Sequence, residues 1–213
     1  MMTIETWLEG TTPILMHRAT EEALSGKTRT NTVDAEQNPR DVAGKAVYRL
    51  PGTNQLAVPG GAFARMLREA GGAHKAKGSR KSLKFILPAA VLILDDLCPL
   101  FLRDRKTLAV DFEVDSRPVT IPATKGRVMR HRARLNEWTV RVHLRINEQI
   151  MSEAIVRQMM VEGSQQIGIG DFRPEKGGPF GTSSIVSWQV VTERKSSSEA
   201  AMRNGAKAEA TAD

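Results

Sequence analysis

The chain has 213 residues, of which 40% are hydrophobic and 26% charged, and a formal net charge of +7. That is the profile of a water-soluble globular protein with room for one sizeable domain. No apolar run approaches the roughly 18 to 20 residues a membrane span needs, the opening MMTIETWLEG lacks the basic start and apolar centre of a secretion signal, and a single cysteine, Cys98, can form neither an internal disulfide nor a metal knuckle, so the sequence predicts a cytoplasmic protein with no membrane partner.

Ile4 to Glu9 alternates apolar and polar residues, and Pro13 to Met16 continues the run after Gly10, which predicts an opening strand. His17 and Arg18 stand where that strand gives out. From Thr20 to Ala46 the chain is polar with no apolar period, the pattern of an inserted loop. Val47 to Val58 reads as a short hairpin turning at Pro51-Gly52-Thr53-Asn54. After Pro59-Gly60-Gly61, the residues Phe63, Met66, Leu67 and Ala70 form an i, i+3, i+4, i+7 stripe, and Gly71-Gly72 closes it, so a helix is predicted with Arg65 and Arg68 pointing outward.

Seven basic residues between Arg65 and Lys84 face Glu69 alone, and seven between Lys125 and Arg145 face Glu137 alone. Each segment carries +6, leaving −5 for the remainder. Two basic segments on a mildly acidic body form the electrostatic footprint expected of a polyanion-binding protein. Phe85 to Leu94 is expected to be a buried strand despite Pro88, with Asp95 and Asp96 in a turn. Thr107 to Val114 and Pro118 to Ile121 are expected to be short strands. In the stretch that follows, Lys125, Arg127, Arg130, Arg132 and Arg134 lie close together, and on an extended hairpin they would meet phosphates without reading bases. Trp138 to Ile146 alternates cleanly, with Arg141, His143 and Arg145 on its outer side. Asn147 is expected to cap a second helix with Met151, Ala154, Ile155 and Met159 inside and Gly163 as a left-handed C-cap.

Gly163 to Gly181, GSQQIGIGDFRPEKGGPFG, is the most unusual stretch: six glycines and two prolines enclose Asp171, Arg173, Glu175 and Lys176. Glycines let another surface come close to the backbone, and successive amides in such turns attract anions. The dinucleotide fingerprint would need glycine at Arg173, and the mononucleotide loop would need Lys176 to precede a Ser or Thr, so neither nucleotide cofactor is supported. Ser184 to Val191 reads as a last strand, and residues 193–213 as a disordered tail.

With the insertions at about 20–46 and 115–137 removed, residues 1–192 follow a β-α-β-β-α-β order. The expected fold class is therefore α+β, a ferredoxin-like (RRM-like) antiparallel sheet with two helices in a single domain. Two features resemble the repeat-associated mysterious protein (RAMP) superfamily, the RNA-binding subunits of CRISPR effector complexes. One is the glycine-rich loop before the last strand, with Gly168, Gly170, Gly177, Gly178 and Gly181. The other is Val58-Pro59-Gly60-Gly61-Ala62-Phe63-Ala64-Arg65-Met66-Leu67-Arg68, similar to the helix entrance of subunits that polymerise along guide RNA. The loop is longer and more charged than is usual in that superfamily.

The resemblance implies a non-catalytic subunit that binds single-stranded RNA without regard to sequence, assembles head-to-tail with further copies and joins other ribonucleoprotein subunits. Its expected contact residues are Arg65, Arg68, Lys125, Arg127, Arg130, Arg132, Arg134, Gly168, Gly170, Arg173, Lys176, Gly177 and Gly178, with no cofactor or metal. Processing members of the superfamily cut RNA with a histidine and some backbone members with an aspartate after the first strand, so His17, Asp34 and Asp41 are the candidates for an endoribonuclease alternative. A third reading is a structural or assembly protein, for instance of a virion, whose basic segments meet acidic neighbours. The four histidines show no HExxH spacing and the chain contains no G-x-S-x-G elbow.

Overall fold

The computed structural model describes residues 1–19, 38–120 and 126–191. Its strands are β1 (Met2–Gly10), β2 (Ile14–Met16), β3 (Tyr48–Arg49), β4 (Leu56–Pro59), β5 (Val91–Ile93), β6 (Leu97–Phe101), β7 (Glu113–Thr120), β8 (Arg127–Leu135), β9 (Thr139–Ile146) and β10 (Ser183–Val191). The helices are α1 (Pro39–Lys45), α2 (Gly60–Ala70), α3 (Leu87–Ala90) and α4 (Glu153–Glu162). The fold is α+β with antiparallel sheets. Seven strands form one sheet in the order β10-β1-β9-β6-β4-β3, with β5 also on β9, and β2-β8-β7 form a second.

The alternation in β1 buries Ile4, Thr6 and Leu8 and leaves Glu5, Trp7 and Glu9 half-exposed, as side chains on opposite faces of a strand require. β9 does the same, burying Val140, Val142, Leu144 and Ile146 while Arg141, His143 and Arg145 remain on the other face. α2 contributes Phe63, Met66 and Leu67 to the core and α4 contributes Val156, Met159 and Met160. Burying each such side chain stabilises the fold by roughly 2 kcal/mol. No helix among the described residues is long and apolar enough to cross a membrane.

Several elements depart from the sequence-based expectation. The inserted segment before Val47 contains α1, which starts at Asn38-Pro39: the Asn38 side chain accepts from the Arg40 amide at 2.9 Å, and Pro39 occupies the first helical turn. Residues 85–94 are not one strand. A 3-10 turn at Leu83–Phe85 and α3 precede β5, because Pro88 suits the first turn of a helix and not the middle of a ladder. The strands expected at 107–114 and 118–121 resolve as an isolated bridge from Leu108 to Phe101 and a longer β7. β7 pairs only with β8, and an edge strand tolerates Pro118. α4 begins after Ser152, and Ala154 and Ile155 are exposed. Asn147 instead organises the turn before it, accepting from Gln149 and Met151. Gly163 is right-handed (φ −60) and prolongs the helix through a π turn, and the left-handed residue is Gly168 (φ 71).

Candidate nucleic-acid interface

The chain emerging from β2, the first turns of α2 and the loop after α4 meet around a cavity of about 250 Å³. Its floor is apolar (Ile14, Met16, Met66, Ile167 and Ile169), and its rim carries His17, Tyr48, Arg65, Asp171, Arg173 and Glu175. Three segments remote in sequence therefore close on one another through identifiable contacts. Arg65 on α2 donates to Glu175 at 2.7 Å, and Arg173 reaches the same carboxylate at 2.6 Å. From the β7–β8 hairpin, Arg132 Nε donates to Asp171 at 2.5 Å and Arg130 Nη1 lies 2.8 Å from His17 Nε2. Arg117 and Arg134 sit over the Phe180 ring at 4.6 and 6.0 Å from its centroid.

The register of the hairpin explains this convergence. Arg117 is opposite Arg130, Asp115 opposite Arg132 and Glu113 opposite Arg134, and directly opposed residues share a face. That face is turned toward the glycine-rich loop. Six guanidinium groups (Arg65, Arg117, Arg130, Arg132, Arg134 and Arg173) meet four carboxylates (Glu113, Asp115, Asp171 and Glu175), a net charge of plus two. Burial alone would raise the Asp171 carboxyl, but the Arg132 charge and hydrogen bond, together with the Phe172 amide, hold it below the usual carboxylate range. Glu175 is likewise lowered, the Arg173 and Arg65 contacts outweighing its desolvation. Partial desolvation at the cavity edge pulls the His17 pKa down although the residue as a whole is exposed; Arg130 adds to the effect and Asp171 opposes it. His17 is thus held toward its neutral form, with Arg130 beside it.

The expected site residues divide clearly. Arg65, Arg130, Arg132 and Arg173 converge at the cavity or its wall. Arg127 is exposed at the end of β8, and Lys176 and Gly177 are exposed at the outer turn of the loop. Arg132 is buried and committed to Asp171, so its role is to pin the loop rather than to present a free cation. Arg68 lies one turn along α2, bonded to Glu69 at 3.2 Å beside a second cavity between α2 and β5, away from the loop. Asp41 is on α1, exposed, and does not line the site with His17. Lys125 and Asp34 lie outside the described residues. Among the described residues, no group of three or more His, Cys, Asp and Glu side chains could hold a metal ion.

Three of the expected glycine amides are used within the loop itself. The amides of Gly168, Gly177 and Gly178 donate to the carbonyls of Gly163, Pro174 and Arg173, so these N–H groups are internal fastenings. Gly178 and Gly181 permit close backbone crossing: a Cβ on either would lie 1.8 Å from the carbonyl oxygen of Phe172 or Ile169. What reaches the surface is guanidinium. Arg117 and Phe180 were not singled out from the sequence. Arg117 could have been found by extending the hairpin register back from the arginine cluster, whereas Phe180 carries no local signal.

No known protein-family model matches the chain, and no curated protein does. Among solved structures, a chain of the Type III-B Cmr-beta complex bound to cognate target RNA superposes with a TM-score of 0.56 at 10% identity, over 90% of this chain and 61% of that one. The chain shares the fold of that Cmr-beta chain. It spans only 61% of the length of that neighbour. Two further solved structures superpose less well. Cmr6 from Pyrococcus furiosus matches at 9% identity over 85% of this chain and 97% of its own, with a TM-score of 0.44. A chain of a Type IV-B CRISPR complex matches at 10% over 90% and 91%, with a TM-score of 0.42.

Proposed function

We propose that this RAMP-like chain is a non-catalytic subunit that binds single-stranded RNA, largely without regard to sequence, within a ribonucleoprotein assembly. The observation that carries the reading is the meeting of α2, the β7–β8 hairpin and the glycine-rich loop around one groove with an excess of guanidinium groups. Guanidinium forks match phosphate oxygens bidentately and fix a strand's position without reading its bases. The superposable Cmr-beta chain comes from a complex bound to target RNA, which favours RNA as the polyanion. A ferredoxin-like plan is supported by the order β10-β1-β9-β5/β6 with α2 and α4 on the intervening crossovers, the 4-1-3-2 arrangement of a β-α-β-β-α-β unit. Residues 1–192 then form one domain, residues 193–213 a tail, and head-to-tail assembly with further copies completes the picture.

Binding of this kind draws on counterion release and weakens steeply with salt. Replacing Arg127 and Arg130 together by Ala removes two cations that no carboxylate neutralises among the described residues. In a fluorescence anisotropy titration with a labelled oligoribonucleotide, the slope of log K against log salt should fall by about 1.4, at about 0.7 per phosphate contact on single strands. An unchanged slope would remove the hairpin from the site.

One observation favours the endoribonuclease reading: His17 stands at the rim, 2.8 Å from Arg130 and with its pKa lowered by desolvation, as a general base for the 2′-hydroxyl would be. Labelled RNA that stays intact with the wild-type protein and with His17→Ala alike rules this reading out under the conditions used.

A further inference from the structure

The basic run that follows α2 takes no part in the groove. His74 to Leu83 forms a tight loop: Lys75 bridges Ser82, the Ala76 amide donates to the Lys81 carbonyl at 3.0 Å and the Ser79 amide to the Ala76 carbonyl at 3.0 Å, with Gly78 in the left-handed region (φ 71). The Ser82 hydroxyl donates to the Gly71 carbonyl at 2.8 Å, and Leu83 is buried beneath, so the loop is fastened to the end of α2. Lys75, Lys77, Arg80 and Lys81 are all exposed, and among the described residues none of these side chains has a hydrogen-bond or ion-pair partner. The carboxylates at its base are already engaged, Glu69 with Arg68 and Lys84, and Glu162 with His74 and Gln158. Four cations therefore stand uncompensated on a preorganised loop, where the groove keeps two of six.

We propose that this loop is a second contact for a single nucleic-acid strand, an anchor for its phosphates at the far end of α2 from Arg65. This inference rests on the RNA-binding reading of the groove and extends the strand's path along α2, which at 11 residues is about 16 Å long. The chemistry favours a nucleic acid over an acidic protein. Protein hot spots need an aromatic or Arg anchor closed off in a well-packed pocket, and here Ala76, Gly78 and Ser79 separate the cations on a shallow loop. Phe85, the residue after Lys84, is 75% exposed, and a free ring face beside clustered cations is the pairing that single-stranded binders use, stacking one base while holding the backbone. A duplex has no unpaired base to offer it.

The test titrates a labelled 30-nucleotide RNA against the full chain by anisotropy over a salt series, comparing the wild type with three variants. These are the loop variant (Lys75→Ala, Lys77→Ala, Arg80→Ala, Lys81→Ala), Phe85→Ala, and the groove variant (Arg130→Ala). The loop variant should raise Kd at least roughly tenfold and flatten the log K against log salt slope by about 3, four contacts at about 0.7 each. Phe85→Ala should weaken the single strand and leave a duplex of the same length unaffected. A loop variant with wild-type Kd and slope, beside a weakened groove variant, overturns this inference alone. A wild-type protein that binds no RNA overturns the groove reading and this one with it. Because the four cations make no internal contacts, alanine leaves the loop's backbone bonds in place, and the charge reversal Lys77→Glu with Arg80→Glu serves as an independent check with a larger expected loss.

Discussion

Removing the carboxylate of Asp171 should cost more than removing the guanidinium of Arg132, although both substitutions break the same 2.5 Å contact. The Arg132 side chain is 8% exposed and that of Asp171 is 33% exposed. Asp171→Ala strands a buried positive charge whose nearest remaining carboxylate, Asp115 across the strand pair, is bonded to Arg117, and breaking a buried pair in this way costs about 3 to 5 kcal/mol. Arg132→Met fills much of the same volume and leaves a carboxylate that water can reach. The loss is then nearer the 1.5 kcal/mol at the low end for a hydrogen bond to a charged group, given as an order of magnitude. At about 2 to 4 °C per kcal/mol for a domain of this size, the melting temperature should drop by roughly 6 to 20 °C in the first variant and roughly 3 to 6 °C in the second. Urea unfolding gives the free energies directly. Cys98 supplies an independent probe, since burial pushes its thiol up to about 12 and a thiol reagent reports only unfolded chains. If the two variants lose the same stability within about 0.5 kcal/mol, or the Arg132 variant is the weaker, Arg132 is not a desolvated charge and the pair does not hold the loop.

Two other outcomes follow from the site. Gly181→Ala should destabilise the fold by at least about 2 kcal/mol in the same urea assay, because the residue has φ +73 and its new Cβ would sit 1.8 Å from the Ile169 oxygen; a loss under about 0.5 kcal/mol would show that the crossing is looser than described. His17 has its pKa lowered from the usual 6.5, so the unfolded chain binds its proton first. Stability from this group is present above about pH 6.5 and is lost as pH falls through 6.5 toward the depressed folded value. A phosphate in the groove opposes that depression, so RNA affinity should rise as pH drops from 8 to below 6.5 in the wild type and less so in His17→Ala. Parallel pH curves for the two proteins would sink the assignment.

The sheet was legible in the sequence because its rules are local. The alternation of Trp138 to Ile146 and the stripe of Phe63, Met66 and Leu67 are written into neighbouring residues, and each became the element expected. The departures arose where a single residue changed the geometry: Pro88 opened a helical turn inside an apolar run, and Asn38-Pro39 started a helix in a segment with no apolar period. At the site, charge composition pointed to Arg65 and the arginine cluster but could not tell a free guanidinium from an engaged one. Arg132 and Arg130 are two residues apart on one strand face, yet one is buried on a carboxylate and the other is exposed. That distinction depends on Asp171, 39 residues away.

β1, paired on both sides in the large sheet, finds both of its partners far along the chain. β1 is flanked by β9 and β10, with Thr6 sealed by its hydroxyl to the Ser187 carbonyl across 181 positions of chain. Both of its edges must wait for partners made more than 120 residues later, so this sheet closes only through long-range pairing. Such long-range closure makes refolding slow, and in the interval the nascent edges are the part of the chain most in need of a chaperone's cover.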